Sequence, residues 1–118
     1  MIPKMKNIQV KKWKKWFIIS IFDQFVVKTL LQIKTVFDDA YKHDQHFIAL
    51  DLEHTRHLDS SALTLILNFS KRCLEKGGTF VIFGPDQYVS EIFSIVGLDK
   101  AIRIFSTQEQ FENHDESI

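Results

Sequence analysis

The stretch best placed to carry chemistry is Asp59-Ser60-Ser61-Ala62-Leu63. Leu63, Ile66, Leu67, Ser70 and Leu74 recur at helical spacing from there to Glu75, so the aspartate and the two serines open a helix. Backbone N–H groups at a helix start have no intrahelical partner, and the local dipole favours negative charge. A serine hydroxyl there is well placed to carry a phosphate, which adds about −1.5 to −2 charges and three strong acceptors. The helix start would hold that group, while an acidic partner surface would be repelled by it. Asp and Ser before a helix are equally ordinary N-caps, worth roughly 1 kcal/mol. The two roles are compatible, with Asp59 capping while Ser60 projects, and Ser61 stays open as an alternative modification site.

Other reactive side chains make weaker cases. His54-x-x-His57 beside acidic residues has metal-like spacing but no convincing third or fourth ligand, and reads as a surface loop with no metal. His43 and His46 bracket a turn, and Asp38-Asp39 reads as a solvated helix face. Cys73 has no evident activating base and reads as a small, semi-buried residue. Gly77-Gly78 lacks the lysine and spacing of a nucleotide cradle. Nothing converges as an acid, base and nucleophile, so the chain is not expected to be an enzyme or to need a cofactor.

The elements that must position Ser60 follow from periodicity. Residues 8–11 alternate as an exposed strand and residues 16–22 are β-branched and aromatic, which suggests a hairpin with lysines near its turn. Residues 26–41 follow a helical period. Residues 47–52 form a short, bounded apolar run that reads as a central strand, and residues 53–58 are a loop. The helix over 59–75 ends at Gly77-Gly78. Residues 79–83 are a strand, Gly84-Pro85-Asp86 turns into a helix over 87–96, and Gly97 stops it. Residues 102–105 form a last strand, and Ser106-Thr107-Gln108-Glu109 is a capping-box pattern for a final helix. The order β-β-α-β-α-β-α-β-α implies an α/β fold with a mostly parallel sheet, an added edge hairpin strand and right-handed crossovers. One domain is expected over residues 8–113, with flexible termini at 1–7 and 114–118.

Composition narrows the function classes. The chain has 118 residues, 45% hydrophobic and 25% charged, with fifteen basic and fifteen acidic side chains. No global field therefore selects a polyanion, and no direct nucleic-acid partner is expected. Lysines interleaved with Trp13 and Trp16 could touch nucleic acid or an anionic membrane, but read as a charged hairpin guarding a sheet edge. The apolar run after them stops at Asp23 with no small-residue cleavage site, which argues against a signal peptide. No stretch is long enough to span a bilayer, so no membrane insertion is expected. A single cysteine suits a reducing compartment, and a cytoplasmic location is expected.

The run 47–52, then Leu58-Asp59-Ser60-Ser61-Ala62-Leu63, then Lys76-Gly77-Gly78, resembles the STAS family pattern of the anti-sigma factor antagonists. Gly84-Pro85 and Phe93-Ser94-Ile95-Val96-Gly97-Leu98 extend the resemblance, which covers residues 16–111. It implies a partner switch: the unphosphorylated domain binds an anti-sigma factor that is also a serine kinase, is phosphorylated on Ser60, lets go, and is restored by a metal-dependent PP2C-type phosphatase. It also implies that Asp23, in the turn after the second strand, lies near the modification site, and that Asp23, Asp59, Ser60, Ser61 and Ala62 form the partner surface. The family usually has glycine where Ala62 and Phe22 stand. A monomer or weak dimer is expected. The alternative is a STAS-like subunit of a transport or sensory complex, in which Ser60-Ser61 would be only a cap and a contact.

Overall fold

Runs of apolar residues let three of the strands bury both of their faces. A computed structural model describes residues 7–116. Its elements are β1 (Ile8–Trp13), β2 (Trp16–Ile21), α1 (Leu30–Lys42), β3 (Phe47–Asp51), α2 (Ser60–Glu75), β4 (Thr79–Phe83), α3 (Gln87–Val96), α4 (Leu98–Ala101), β5 (Arg103–Phe105) and α5 (Gln108–Glu116). The expected order is present with one addition, the single turn α4, which is too short to display a period. Leu98 is buried and anchors it directly after the left-handed Gly97.

The sheet runs β1-β2-β3-β4-β5. β1 pairs antiparallel with β2, through the register Ile8↔Ile21 to Trp13↔Trp16, and the remaining neighbours are parallel. Lys14 and Lys15 form the hairpin turn, with Lys14 at a φ of 54° where glycine was absent from the sequence. Because every parallel strand is added on the same side of the last, right-handed crossovers carry α1, α2 and α3 to one face. Ile19, Ile21, Ile48, Leu50, Phe80 and Ile82 meet Ile33, Val36, Phe37, Ile66, Phe69, Val89 and Phe93 there.

The opposite face has no crossover helix. Trp16, Ile18, Ala49, Val81, Phe83 and Phe105 form a second cluster, closed by Phe111 of α5. Phe111 packs its ring 5.2 Å from Trp16, 5.3 Å from Phe83, 5.5 Å from Trp13 and 5.8 Å from Phe105. The tryptophans of the hairpin thus belong to a core. Lys14 lies 4.8 Å over the ring of Trp13, and Lys15 lies 4.9 Å over Phe47.

Several expectations need correction. The first helix starts at Leu30 and not at residue 26. The Thr29 hydroxyl accepts from the Val26 N–H at 3.2 Å and donates to the Gln24 carbonyl at 2.6 Å, which holds residues 24–29 in a turn. Asp38 is not merely solvated: it accepts from Lys34 at 2.6 Å and from Arg72 of α2 at 3.0 Å. Burial pushes its carboxyl up, but the two cations outweigh that and hold it below its ordinary value. The capping box is shifted by one residue. Thr107 accepts from the Gln110 N–H, and the Gln110 side chain accepts from the Ser106 N–H, both at 3.1 Å. The Asn7 carbonyl accepts from the Phe22 N–H at 2.8 Å, and α5 runs to Glu116. Residues 1–6 and 117–118 lie outside the described residues.

Because one ring closes the second core, Phe111→Ala is expected to cost about 3–5 kcal/mol. Urea unfolding followed by tryptophan fluorescence measures this, and a loss under 1 kcal/mol would show that α5 is dispensable.

Candidate functional site

The site forms where the parallel strands end. Asp59 adopts extended backbone, with ψ at −177°, and Ser60 is the first residue of α2. One oxygen of the Asp59 carboxylate accepts from the Ala62 N–H at 3.2 Å, and the other accepts from the Val27 N–H at 2.9 Å. The same side chain therefore caps α2 and ties the β2–α1 turn to it. The turn is held twice more: the Phe25 N–H donates to the His57 carbonyl at 2.9 Å, and the Asp59 N–H donates to the Phe25 carbonyl at 3.2 Å. Phe25 and Leu58 pair as an isolated parallel bridge, and the Phe25 ring is fully buried.

The loop before Ser60 is anchored from beneath. Thr55 is fully buried and its hydroxyl donates to the Ile21 carbonyl at 3.0 Å. The buried Asp51 carboxylate accepts from the Ser20 hydroxyl at 2.7 Å and from the Glu53 N–H at 2.9 Å. Burial and the neighbouring Asp51 charge push the Glu53 carboxyl above its usual range. Phe25, Thr55 and Ser20 escaped sequence reasoning. A threonine in a polar loop and a phenylalanine between a strand and a helix carry no periodic signal, and their partners are distant in the chain.

Ser60 is exposed, Ser61 half-buried and Ala62 fully buried. The Ala62 side chain lies in the main core. Its methyl fits where the family pattern usually has glycine. Among the described residues the Ser60 hydroxyl makes no hydrogen bond, while its carbonyl accepts from the Thr64 hydroxyl at 3.0 Å. Asp23 is half-buried, accepting from the Gln24 N–H at 2.7 Å and from the Asn7 amide at 2.9 Å. It shapes the turn that Asp59 holds.

Exposed apolar side chains lie along this turn. Val27, 68% exposed, is tethered to Asp59 through its N–H, and Leu31, 76% exposed, follows one helical turn later. Phe22 is exposed and stacks on His54 at 4.7 Å. His57 lies 6.4 Å from the exposed Tyr88 ring. His54 and His57 thus serve as ring partners in the loop. Among the described residues, no group of three or more His, Cys, Asp or Glu is arranged to hold a metal. Cys73 is fully buried in α2, deeper than expected, and burial pushes its thiol up to about 11.

A profile described as the STAS domain matches residues 7–111. The chain belongs to the STAS domain family. A Thermotoga neapolitana protein named as an anti-sigma factor antagonist homolog is 32% identical over 74 residues, which is 63% of this chain and 66% of that relative, just under two thirds. The crystal structure of a Thermotoga maritima protein described as an anti-sigma factor antagonist shares the fold at a TM-score of 0.85, with 24% identity over 92% of this chain and 94% of that one. SpoIIAA of Bacillus, solved in a phosphorylated form, shares it at 0.70 with 18% identity over 91% and 97%. This STAS domain therefore has the α/β architecture its element order implied. Among the described residues, no helix is long and apolar enough to cross a membrane.

Two measurements probe the site's construction. Asp59→Ala is expected to cost about 1–2 kcal/mol, because two N–H groups lose their acceptor, and Asp59→Asn less. Equal urea midpoints for Asp59→Ala and wild type would refute the double tether. Glu53 has a raised folded-state pKa, so its favourable contribution is present below its unfolded value near 4.5 and is lost as pH rises through the folded value. Glu53→Gln is therefore expected to melt higher than wild type at pH 7, with the gap closing towards pH 3. Melting scans across that range test it.

Proposed function

We propose that this STAS domain is an anti-sigma factor antagonist that acts as a phosphorylation-controlled partner switch in the cytoplasm, and not as an enzyme. The observation that carries this reading is the exposed Ser60 hydroxyl at the first position of α2, one residue after the Asp59 carboxylate that holds the exposed Val27 through its N–H. In the unmodified state the surface around Ser60 docks an anti-sigma factor that is also a serine kinase. The kinase transfers a phosphoryl group from a nucleoside triphosphate to the Ser60 oxygen, with loss of the hydroxyl proton. A PP2C-type phosphatase hydrolyses the ester and restores the docking state.

Charge and size make the switch. A phosphate on Ser60 stands at the positive end of the α2 dipole, so the folded domain tolerates it. It also stands next to the Asp59 carboxylate, which is engaged by two N–H groups and cannot move aside without releasing the turn. The added charge therefore points outwards, where it is costly to desolvate beside the exposed Val27 and opposes an apolar or acidic partner face. Ser61 is the less accessible alternative because it is half-buried. Asp23 contributes by fixing the turn that presents Val27, and Asp59 by orienting both sides of the site.

The names of the Thermotoga relatives and the phosphorylated form of SpoIIAA support this reading. A purely structural subunit of a transport or sensory complex would need Ser60 only as part of a helix start. With the cognate kinase, intact-mass analysis is expected to show one added phosphate, localised to Ser60. Ser60→Ala should bind the kinase and resist modification, and Ser60→Asp should bind at least about tenfold more weakly. Modification of Ser61 alone, or normal binding by Ser60→Asp, would overturn the assignment.

A further inference from the structure

A second candidate site lies at the other end of the sheet. Trp16, Thr79 and Arg103 are the first residues of β2, β4 and β5, whereas Ser60 follows the last residues of β3. On the face covered by α5, a cavity of about 150 Å³ is lined by Lys15, Trp16, Thr79, Val81, Arg103, Phe105, Phe111 and His114. Trp16, Val81, Phe105 and Phe111 are buried and form an apolar floor. An apolar cavity of this size holds one benzene-sized group.

Among the described residues that line the cavity, Lys15 and Arg103 are cations and none is acidic. Both cations are folded over the aromatic floor: the Lys15 ammonium is 5.7 Å from the Trp16 ring centre, and the Arg103 guanidinium is 5.2 Å from that of Phe105. Both side chains line the cavity next to its aromatic rings, so a carboxylate on the occupant would meet them there. A guanidinium suits a carboxylate through paired N–H donors. Thr79 also lines the cavity.

We propose that this cavity binds a small aryl carboxylate, with its ring on Trp16, Val81, Phe105 and Phe111 and its carboxylate between Lys15 and Arg103. The apolar floor alone would accept a neutral ring equally well, so the cations set the preference. The site is separate from Ser60 and does not depend on the partner-switch reading.

Benzoate is a suitable probe, and the chain's two tryptophans, Trp13 and Trp16, both pack on Phe111 and so report on the cavity. Benzoate is expected to change tryptophan fluorescence saturably, with half-saturation at about 1 mM, as befits a ligand of nine heavy atoms. Benzyl alcohol should bind at least about tenfold more weakly, because it lacks the charge-assisted bonds. Lys15→Ala and Arg103→Ala alter exposed side chains, and each should weaken benzoate about tenfold while leaving benzyl alcohol unchanged. Val81→Phe should fill the cavity and abolish both. Ser60→Asp should leave benzoate binding unaltered. Amide chemical-shift mapping on the wild-type chain gives a second readout, expected at the starts of β2, β4 and β5. Equal affinity for benzoate and benzyl alcohol, no saturable response, or shifts confined to another surface would each overturn the proposal.

Discussion

The strand order β1-β2-β3-β4-β5 matches the chain order, and most of the architecture depends on that constraint. A right-handed crossover always passes over the same face when each new parallel strand is added on the same side. α1, α2 and α3 therefore share one layer, and the other face receives no helix until the sheet is finished. That face is nonetheless apolar, with Trp16, Ile18, Ala49, Val81 and Phe83 along it. α5 must cover it with nine residues, and among the described residues only Phe111 reaches the cluster as a buried ring. Heavy burial on one face and thin cover on the other follow from the same topology. The small cavity beneath α5 is where that cover stops.

The same order brings the strand exits to one end, where three chain segments meet. A backbone leaving a parallel strand must satisfy its polar groups without the ladder. Here the β2 exit pairs with the loop after β3 through Phe25, His57 and Asp59. The Asp59 carboxylate closes the arrangement by serving one N–H from each side. A side chain that would ordinarily be only a helix cap thus becomes a junction between two elements. Ser60, one residue later, inherits a fixed position without being bound itself. A modifiable hydroxyl needs that combination of rigid backbone and free oxygen.

Much of this was legible from residue order. β4 and α3 lie where the periodicity places them, and the α2 start falls at Asp59-Ser60 because the capping residue and the apolar repeat point to the same boundary. The Gly97 stop was equally readable, since its φ of 78° is one that other residues seldom adopt. The α1 start was not, because Val26 and Val27 fit the helical period yet are held in a turn by Thr29 and Asp59. Asp38 seemed solvated because its partner Arg72 lies on another helix. Ala62 sits next to exposed residues in sequence but points inwards, and adjacency in the chain said nothing of that.

By itself, then, the amino-acid order determined the elements, their caps, the parallel sheet and the position of Ser60 at a helix start. These follow from local terms: period, capping chemistry and turn residues act within a few positions of one another. Only the tertiary structure decided that Asp59 joins two loops, that Thr55 and Phe25 secure the platform, and that hairpin tryptophans and Phe111 close a second core over a cation-lined cavity. Those contacts join residues far apart in the chain, and their geometry depends on how the sheet stacks its strands and not on any local preference.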